Sequence, residues 1–339
     1  MRYFVTGATG FIGGRLVRQL VERDHRVVTI VRDPSKAADL TALGVEVHPG
    51  DITQRDSMRA PMNGADGVFH VAGWYKLGAR DTRQARAVNV DGTRQVLELM
   101  AELEIPRGVY TSTLAVFSDT HGRVPDESYR FRGRHLTTYD RTKWEAHYEV
   151  AEPMIKAGLP LMIVLPGLTY GPGDTSLVHQ MLVDYLRLRL RATPRGTAYC
   201  WAYVDDIAYG HILAMERGTP GESYIIGGDV HTLIDALAIA QKITGIAAPR
   251  IHPPGALLRA AAPFAAFLGR FVPLPETYSA DALRSYAGVT YLGSNAKARR
   301  ELGFGVTPLE EGLRETLSWE MNRLGMPLPP WMREVSLPT

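Results

Sequence analysis

The chain contains a single cysteine, Cys200, among its 339 residues, which excludes an intrachain disulfide and any zinc site built from cysteine clusters. Its ten histidines are scattered without a ligand-like pair on one helix face, so we expect no structural or catalytic metal. The formal net charge of +2 is close to balance and gives no reason to expect a nucleic-acid partner.

Long hydrophobic runs are also missing. No stretch of ~20 apolar residues occurs, so no transmembrane helix is expected. The chain opens on a strand-like MRYFVTG, which leaves no room for a signal peptide, and we expect a cytoplasmic protein. A composition of 45% hydrophobic and 22% charged residues is typical of a globular domain. The length predicts one large domain, or a domain with a smaller lobe.

Strand-like apolar runs alternate with helical patterns through the first half of the chain. This alternation predicts an α/β fold, a doubly wound parallel sheet (Rossmann fold) over residues 1–166. After Pro166 the rhythm changes, and residues 167–339 are predicted to form a smaller C-terminal α/β substrate lobe, partly interleaved with the first domain. Ligands of such sheets bind beyond the carboxyl ends of the strands.

A glycine-rich turn, TGATGFIG, occupies residues 6–13 between a predicted strand and an apolar helix. Glycines in this position allow a tight turn and let the backbone approach a pyrophosphate at the helix N-terminus. The spacing GxxGxxG differs from the GxGxxG of the general dinucleotide fingerprint. We predict that Gly7, Gly10 and Gly13 bind a dinucleotide, with a purely structural turn as the alternative.

The end of the second strand is expected to select the cofactor, because an arginine there accepts a 2′-phosphate and an acidic residue accepts a free 2′-hydroxyl. Asp33 has an alternative role as a helix N-cap, with Pro34 at the first helical position. Arg32 then becomes the selector, which favours NADP(H) over NAD(H). Asp51, after the third strand, is predicted to contact the adenine amine or to be an ordinary turn aspartate.

Tyr139 and Lys143 stand four residues apart, about one turn of helix, so both side chains project from one face. An ammonium beside a phenol favours the phenolate and lowers its pKa, which makes the tyrosine an acid or base near neutrality. The spacing alone is a weak signal.

Together with other motifs it is a strong one, because the chain resembles the extended short-chain dehydrogenase/reductases (NAD-dependent epimerase/dehydratase superfamily) almost end to end. The motifs that carry the resemblance are TGATGFIG, HVAG (70–73), NVDGT (89–93), VYTSTLAVF (109–117), YDRTK (139–143) and LPGLTYGPGD (165–174).

The resemblance implies that Tyr139 transfers a proton to or from the substrate oxygen and that Lys143 tunes this tyrosine and holds the nicotinamide ribose. It implies that Thr113 polarises the substrate oxygen, with Ser112 as the alternative. Asn89 is expected to position the cofactor or to cap the helix that follows. The cofactor-binding residues that it implies are Gly7, Thr9, Gly10, Phe11, Ile12, Gly13, Arg32, Asp51, Ile52, Ala72, Gly73, Asn89, Thr111, Tyr139, Lys143 and Pro166.

The substrate pattern departs from that of nucleotide-sugar enzymes. Leu165 and Gly167 flank Pro166 where those enzymes often have arginine and asparagine, and no basic residue precedes the VDD block at residues 204–206. Charge-assisted contacts to a diphosphate are therefore missing. Apolar and aromatic residues are predicted to line the pocket, with Thr113 at its polar end. They are Trp74, Tyr75, Phe117, Leu168, Tyr170 and Trp201, although each is also a candidate for the core.

Arg32 and the turn at residues 124–127 also resemble the dihydroflavonol reductase, cinnamoyl-CoA reductase and hydroxysteroid dehydrogenase branch. We predict an NADP(H)-dependent oxidoreductase that reduces a hydrophobic ketone or aldehyde, or oxidises the alcohol. One alternative is a nucleotide-sugar epimerase or dehydratase with tightly bound NAD. A second is a non-catalytic NADP(H)-sensing regulator, against which the retention of Thr113, Tyr139 and Lys143 argues.

Three further features complete the sequence predictions. The resemblance implies a homodimer built from helices Arg83–Glu104 and Tyr139–Ala157. Residues 255–271, GALLRAAAPFAAFLGRF, are predicted to form a lid or a buried helix pair, with a surface contact to a membrane or partner as the alternative. The arginines at 187, 189, 191 and 195 are predicted to lie on a solvated helix face, with contact to a diphosphate as the alternative.

Overall fold

The structure, a computed structural model, describes residues 1–75, 83–268, 283 and 286–332. Its main feature is a seven-stranded, all-parallel sheet. The strands of this sheet are β1 (Arg2–Thr6), β2 (Arg26–Val31), β3 (Glu46–Pro49), β4 (Gly67–His70), β5 (Gly108–Thr111), β6 (Leu161–Pro166) and β9 (Ser223–Ile226). Their order across the sheet is β3-β2-β1-β4-β5-β6-β9.

The central strands are buried on both faces, as the apolar runs of a parallel sheet require. Every residue of β4, β5 and β6 is buried. Alternate side chains of these strands enter two core clusters, one on each face, so Val109 belongs to one cluster and Tyr110 to the other. The predicted α/β doubly wound fold is therefore confirmed.

Helices cover both faces of this sheet. In the first half they are α1 (Phe11–Val21), α2 (Ala38–Ala42), α3 (Arg55–Met62), α4 (Arg83–Arg86), α5 (Thr93–Glu102), α6 (Thr138–Glu145) and α7 (Glu152–Lys156). In the second half they are α8 (Leu177–Leu186), α9 (Val204–Arg217), α10 (Leu233–Thr244), α11 (Gly255–Leu268), α12 (Ala296–Leu302) and α13 (Leu309–Arg323).

The two long helices expected in the first half are each interrupted by a π-helical turn. Residues Ala87–Gly92 link α4 to α5, and residues Ala146–Ala151 link α6 to α7. The two π-turns contact each other, so the wide turns lie side by side. Such turns are rare and often occur at functional sites.

A second, smaller sheet is built around β8 (Ala198–Tyr203). Its other strands are β7 (Leu168–Tyr170), β10 (Val230–Thr232) and β11 (Thr290–Tyr291). β7 and β11 pair with β8 in parallel, and β10 pairs with it antiparallel. β9 comes after β8 in the chain but returns to the large sheet, so the second half of the chain contributes to both sheets.

The apolar segment after residue 254 forms the single helix α11, with Pro263 inside it. The expectation of a buried helix pair is wrong, because the side chains of Leu257 and Phe264 on this helix are exposed to solvent. Residues 269–271 of the segment lie outside the described residues. Within the part of the chain that is described, no helix has the length and apolar character needed to cross a membrane.

Candidate active site

The glycine-rich turn lies directly after β1 and packs against the segment that follows β4. Gly7 has a φ of +76°, which favours glycine, and a Cβ on it would lie 2.7 Å from the backbone N of Ala72. A Cβ on Gly13 would overlap the carbonyl oxygen of Gly7. Gly10 N donates to that same oxygen at 2.9 Å and closes the turn. Glycine is thus required by the packing as well as by the backbone conformation.

Gly10 is also the N-cap of α1, and no side-chain hydrogen bond satisfies the first turn of the helix. No acidic residue stands in this turn either, so the free N–H groups and the helix dipole favour an anion here. Thr9, Phe11 and Ile12 lie at this position and are exposed or half-buried. The cradle fits the pyrophosphate of a dinucleotide.

The residues expected at the adenosine end lie beyond β2 and β3. Asp33 caps the 3₁₀ turn after it by accepting from Ser35 N at 3.1 Å, so the N-cap alternative matches the geometry. Arg32 beside it is exposed to solvent. One carboxylate oxygen of Asp51 accepts from both Thr53 N and Thr53 Oγ1 at 2.9 Å, the pattern of a turn aspartate.

A chain of buried hydrogen bonds connects the glycine turn to the catalytic region. Thr6 Oγ1 lies 2.8 Å from His70 Nδ1 and accepts from Ala72 N at 3.2 Å. His70 Nε2 lies 3.0 Å from Thr93 Oγ1, which donates to Asn89 O at 2.7 Å. Burial, with a smaller effect of nearby Lys143, lowers the pKa of His70 to about 3, so the imidazole is neutral at physiological pH.

Asn89 has a positioning role that neither sequence alternative describes. It lies inside the first π-turn and caps no helix. Its Oδ1 accepts from Trp74 N at 2.7 Å, and its Nδ2 donates to Trp74 O at 3.1 Å and to Thr142 Oγ1 at 3.0 Å. Asn89 therefore fixes the backbone after β4 to the helix that carries the tyrosine and the lysine.

The remaining cofactor candidates are Thr111, Ile52, Gly73 and Pro166, and their surroundings differ. The Thr111 hydroxyl lies 2.8 Å from His211 Nε2 in the core. Ile52 is buried, Gly73 is exposed, and Pro166 ends β6 beside β9.

Lys143 lies on α6 and is only 4% exposed. Its Nζ donates to Thr111 O at 2.7 Å and to Tyr110 Oη at 3.1 Å, at the carboxyl end of β5. Burial lowers the pKa of this ammonium to about 7, because desolvation penalises the charged form. The structure thus brings the lysine to the end of the sheet where the glycine turn also lies.

Tyr139 and Thr113 are brought together, because the Thr113 side chain lies close enough to the phenol of Tyr139 to lower its pKa. Thr113 Oγ1 also accepts from Ala115 N at 3.2 Å and caps the 3₁₀ turn that follows. Ser112, the alternative, is buried, and its hydroxyl lies 2.7 Å from His147 Nδ1. The geometry therefore assigns the position next to the phenol to Thr113.

The expected effect of Lys143 on the tyrosine differs from the observed electrostatics. Burial raises the pKa of Tyr139, with a further increase from Tyr75, and the nearby Thr113 hydroxyl only partly offsets this. The expectation that the phenol pKa is lowered is wrong for this structure. The physical reason is that the donors of Lys143 are directed at Tyr110 and Thr111.

A group of four further tyrosines extends away from Tyr139, and three of them were missed as site residues by sequence reasoning. The ring of Tyr75 meets that of Tyr139 edge-on at 4.9 Å, and Tyr286 lies near Tyr75. Tyr199 stacks on Tyr291 with ring centroids 6.1 Å apart and meets Tyr286 edge-on at 6.2 Å. These rings come from β8, β11 and loops far apart in sequence, so only the period-2 alternation of β8 could have indicated Tyr199.

Asp140 is a buried carboxylate in the same wall. It accepts from Tyr291 Oη at 3.0 Å and from Thr137 Oγ1 at 2.8 Å. It thereby ties β11 of the small sheet to the start of α6, directly beside Tyr139. The wall of the site is therefore aromatic, with hydroxyl groups at intervals.

The other predicted pocket residues divide into two groups. Trp74 is buried after β4 and Leu168 is half-buried on β7. Tyr170, Trp201 and Phe117 are core residues instead, which corrects their assignment to the pocket. Tyr170 packs edge-on against Trp201 at 5.6 Å in a cluster shared with α13, and Phe117 is fully buried in another cluster.

Comparison with known proteins gives consistent results. Residues 3–227 match the model of the NAD dependent epimerase/dehydratase family. The 4-hydroxy-2-methyl-3-oxo-4-farnesyl-3,4-dihydroquinoline-1-oxide ketoreductase of Stigmatella aurantiaca is 33% identical over 92% of this chain and 95% of its own. The 3-beta-hydroxysteroid dehydrogenase of Mycolicibacterium neoaurum is 29% identical over 89% and 86%. The crystal structure of gox2253 superposes with a TM-score of 0.82 at 29% identity, covering 96% and 99%.

Proposed function

The chain belongs to the NAD dependent epimerase/dehydratase family, and we propose that within it the protein is an NADP(H)-dependent reductase of hydrophobic ketones or aldehydes, or a dehydrogenase of the matching alcohols. The observation that carries this proposal is the position of the Thr113 hydroxyl near the Tyr139 phenol, beside the ring of Tyr75.

The chain's own residues supply the proton and the orientation. Tyr139, whose raised pKa keeps the phenol protonated at neutral pH, donates its proton to the carbonyl oxygen of the substrate. Thr113 orients that oxygen through its hydroxyl, a preorganised donor where negative charge develops. Bound NADPH supplies the hydride. Lys143 stands at the carboxyl end of β5, where it can donate to a ribose hydroxyl.

The substrate class follows from the lining of the site. Tyr75, Tyr199 and Tyr291 present aromatic rings, and the basic residues that a diphosphate needs are missing at Leu165 and Gly167. A Cβ on Gly167 would overlap the carbonyl oxygen of Cys200, so no asparagine fits there. The names of two relatives, a ketoreductase and a hydroxysteroid dehydrogenase, agree with an apolar carbonyl or alcohol substrate.

NADP(H) is proposed as the cofactor on the basis of Arg32. The neighbouring Asp33 is occupied as a cap through Ser35, and Arg32 is exposed beside it. An arginine at this position can pair with a 2′-phosphate.

A homodimer is part of the same proposal. The helical segments on either side of the two π-turns pack side by side, with α5 against the second π-turn and α6 against the first. Light scattering at micromolar concentration tests this, and a monomeric mass would contradict it.

The decisive experiment for the function measures NADPH oxidation with a panel of apolar ketones and aldehydes. Tyr139→Phe is expected to lower turnover about 10²-fold or more, because it removes the proton donor. Tyr148→Phe is the matched control, since Tyr148 lies in the second π-turn and its hydroxyl donates to Tyr129 O at 3.3 Å.

In parallel, thermal-shift screening compares these carbonyls with UDP- and dTDP-sugars. Stabilisation by a nucleotide sugar alone would refute the proposed substrate class, and a wild type as inactive as Tyr139→Phe would favour a sensor.

A further inference from the structure

Two distant parts of the chain form one continuous surface outside the candidate active site. The segment 187–195, after α8, pairs with the segment 250–254, which leads directly into α11. Isolated bridges join Ala192 to Ile251 and Arg195 to Pro254, and Thr193 N donates to Ile251 O at 3.0 Å. The two segments and the start of α11 are therefore adjacent, and we call their exposed side chains together the basic–apolar face.

The apolar part of this face is unusually exposed. Leu188 is 59% exposed, Ile251 and Leu257 are each 64% exposed, and Phe264 is 67% exposed. With Phe267 they account for five of the eleven large hydrophobic side chains exposed in the described part of the chain, so the exposed apolar surface is concentrated here. Leu257 and Phe264 are seven residues apart, two helical turns, and so lie on one side of α11.

The charged side chains of the two paired segments are all basic. Their arginines are all exposed, and none forms an ion pair with another described residue. They are Arg187, Arg189, Arg191, Arg195 and Arg250. Residues 185–204 and 236–275 contain no aspartate or glutamate, so no carboxylate from these segments neutralises them.

A cavity of about 500 Å³ opens beside the same face, between α10 and the segment that precedes α11. Lys242, Arg250 and His252 line it together with apolar residues of α10. Thr193 also lines it, and its buried hydroxyl has no hydrogen-bond partner among the described residues. This combination of cations, a hydroxyl donor and an apolar floor fits a phosphodiester attached to an acyl chain.

We propose that the basic–apolar face docks the protein on the surface of a bilayer that contains anionic lipids. Basic side chains gain from the negative potential of such a surface, while exposed leucine, isoleucine and phenylalanine side chains enter the boundary between headgroups and acyl chains. An acidic protein would satisfy the arginines but would leave the apolar side chains without a role.

The docked face lies next to the candidate active site. Arg259 of α11 donates to Gly288 O at 2.9 Å, and Tyr286, two residues before Gly288, lies near Tyr75, whose ring meets that of Tyr139. If the proposed function holds, an apolar carbonyl dissolved in the bilayer reaches the tyrosine wall from this side. The docking itself does not depend on that function.

Vesicle co-sedimentation without cofactor or substrate tests the docking directly. The wild type is incubated with vesicles of phosphatidylcholine alone and with vesicles containing about 30% phosphatidylglycerol, at low and high salt. We expect binding to the anionic vesicles only, weakened by salt. Arg189→Gln and Arg191→Gln are each expected to lower partitioning about fivefold, and Leu257→Ser and Phe264→Ser about tenfold each.

Matched controls carry the same substitutions at exposed sites elsewhere. They are Arg132→Gln, Arg134→Gln, Val124→Ser and Val230→Ser, each with a melting curve to verify folding. Absence of wild-type binding to anionic vesicles at low salt would overturn the proposal. Equal losses of vesicle binding in the face variants and the control variants would also overturn it. A third contradicting result would be binding to heparin or to an acidic polypeptide that is as strong as binding to vesicles and is unaffected by Phe264→Ser.

Discussion

The buried ammonium of Lys143 makes a prediction about stability that is independent of activity. Its side chain is almost fully buried, and its pKa is about 7 in the folded protein against 10.5 for an ordinary lysine. Between these two pH values the unfolded chain holds a proton that the folded protein has released. The free energy of unfolding therefore rises with pH across this window. As the pH falls from 10.5 to about 7, the same free energy is lost progressively.

The magnitude follows from the two pKa values. At 1.36 kcal/mol per pKa unit, the full difference corresponds to about 5 kcal/mol, and the part between pH 6 and pH 9 to about 3 kcal/mol. Lys143→Met removes the titrating group. It also leaves Thr111 O without the donor at 2.7 Å, a cost that does not depend on pH. Only the pH-dependent part of the stability difference between wild type and Lys143→Met therefore reports the cost of burying the charge on Lys143.

The assay is urea unfolding of wild type and Lys143→Met at several pH values from 6 to 9. The stability of the wild type relative to the variant is expected to increase by about 3 kcal/mol over this range. His70 and His147, which are close enough to feel the ammonium, have pKa values of about 3 and lie well below the window. Lys156→Met, at a 75% exposed side chain, is the control and should show a flat difference. A flat difference for Lys143→Met as well would refute the argument that desolvation controls this lysine.

Three further predictions concern the cofactor and the substrate oxygen. Arg32→Glu should raise the KM for NADPH about 10- to 100-fold while that for NADH changes little, because the 2′-phosphate loses its partner. Gly13→Ala should abolish NADPH binding in a fluorescence titration, whereas Gly14→Ala, whose Cβ would meet its nearest atom at 3.5 Å, should preserve it. Thr113→Val should lower kcat about 10²-fold and cost about 1 kcal/mol of stability through the lost cap, while Ser112→Ala should leave kcat nearly unchanged and destabilise the fold by about 1–2 kcal/mol.

Each of these has a clear contradicting result. Equal KM changes for both cofactors would remove Arg32 as the selector. Normal NADPH binding by Gly13→Ala would show that the turn is not a cofactor cradle. A larger loss of kcat in Ser112→Ala than in Thr113→Val would return the polarising role to Ser112.

The parts of the site that sequence predicts are those set by local spacing. The glycines of the turn follow from a strand, a turn and a helix within thirteen residues, and the pairing of Tyr139 with Lys143 follows from one helical turn. The sequence does not decide whether Ser112 or Thr113 polarises the substrate oxygen. Adjacent residues after a strand point in different directions, and only tertiary contacts distinguish them. Here Ser112 is hydrogen-bonded to His147, whereas Thr113 lies near the phenol of Tyr139.

The substrate wall could not be predicted, because its rings come together only through tertiary packing. The β8 sequence Tyr199-Cys200-Trp201-Ala202-Tyr203 alternates as a strand should, so Tyr199 and Trp201 share a face. Both belong to one buried cluster, in which Tyr199 lies against Tyr291 of β11 and Trp201 lies against Tyr170 of β7. Which residue of the strand lies on the side of Tyr139 depends on these neighbouring strands, and no local pattern specifies that.

Burial also bears on the direction of the proposed reaction. It raises the pKa of Tyr139 and lowers that of Lys143, so the environment disfavours charge on both groups. A phenol held in its protonated form is ready to give a proton to a carbonyl oxygen, whereas oxidation of an alcohol requires the phenolate, which the same environment disfavours. In the proposed reaction, the electrostatics of the chain therefore favour the proton-donating role of Tyr139, and we expect reduction to be the faster direction at neutral pH.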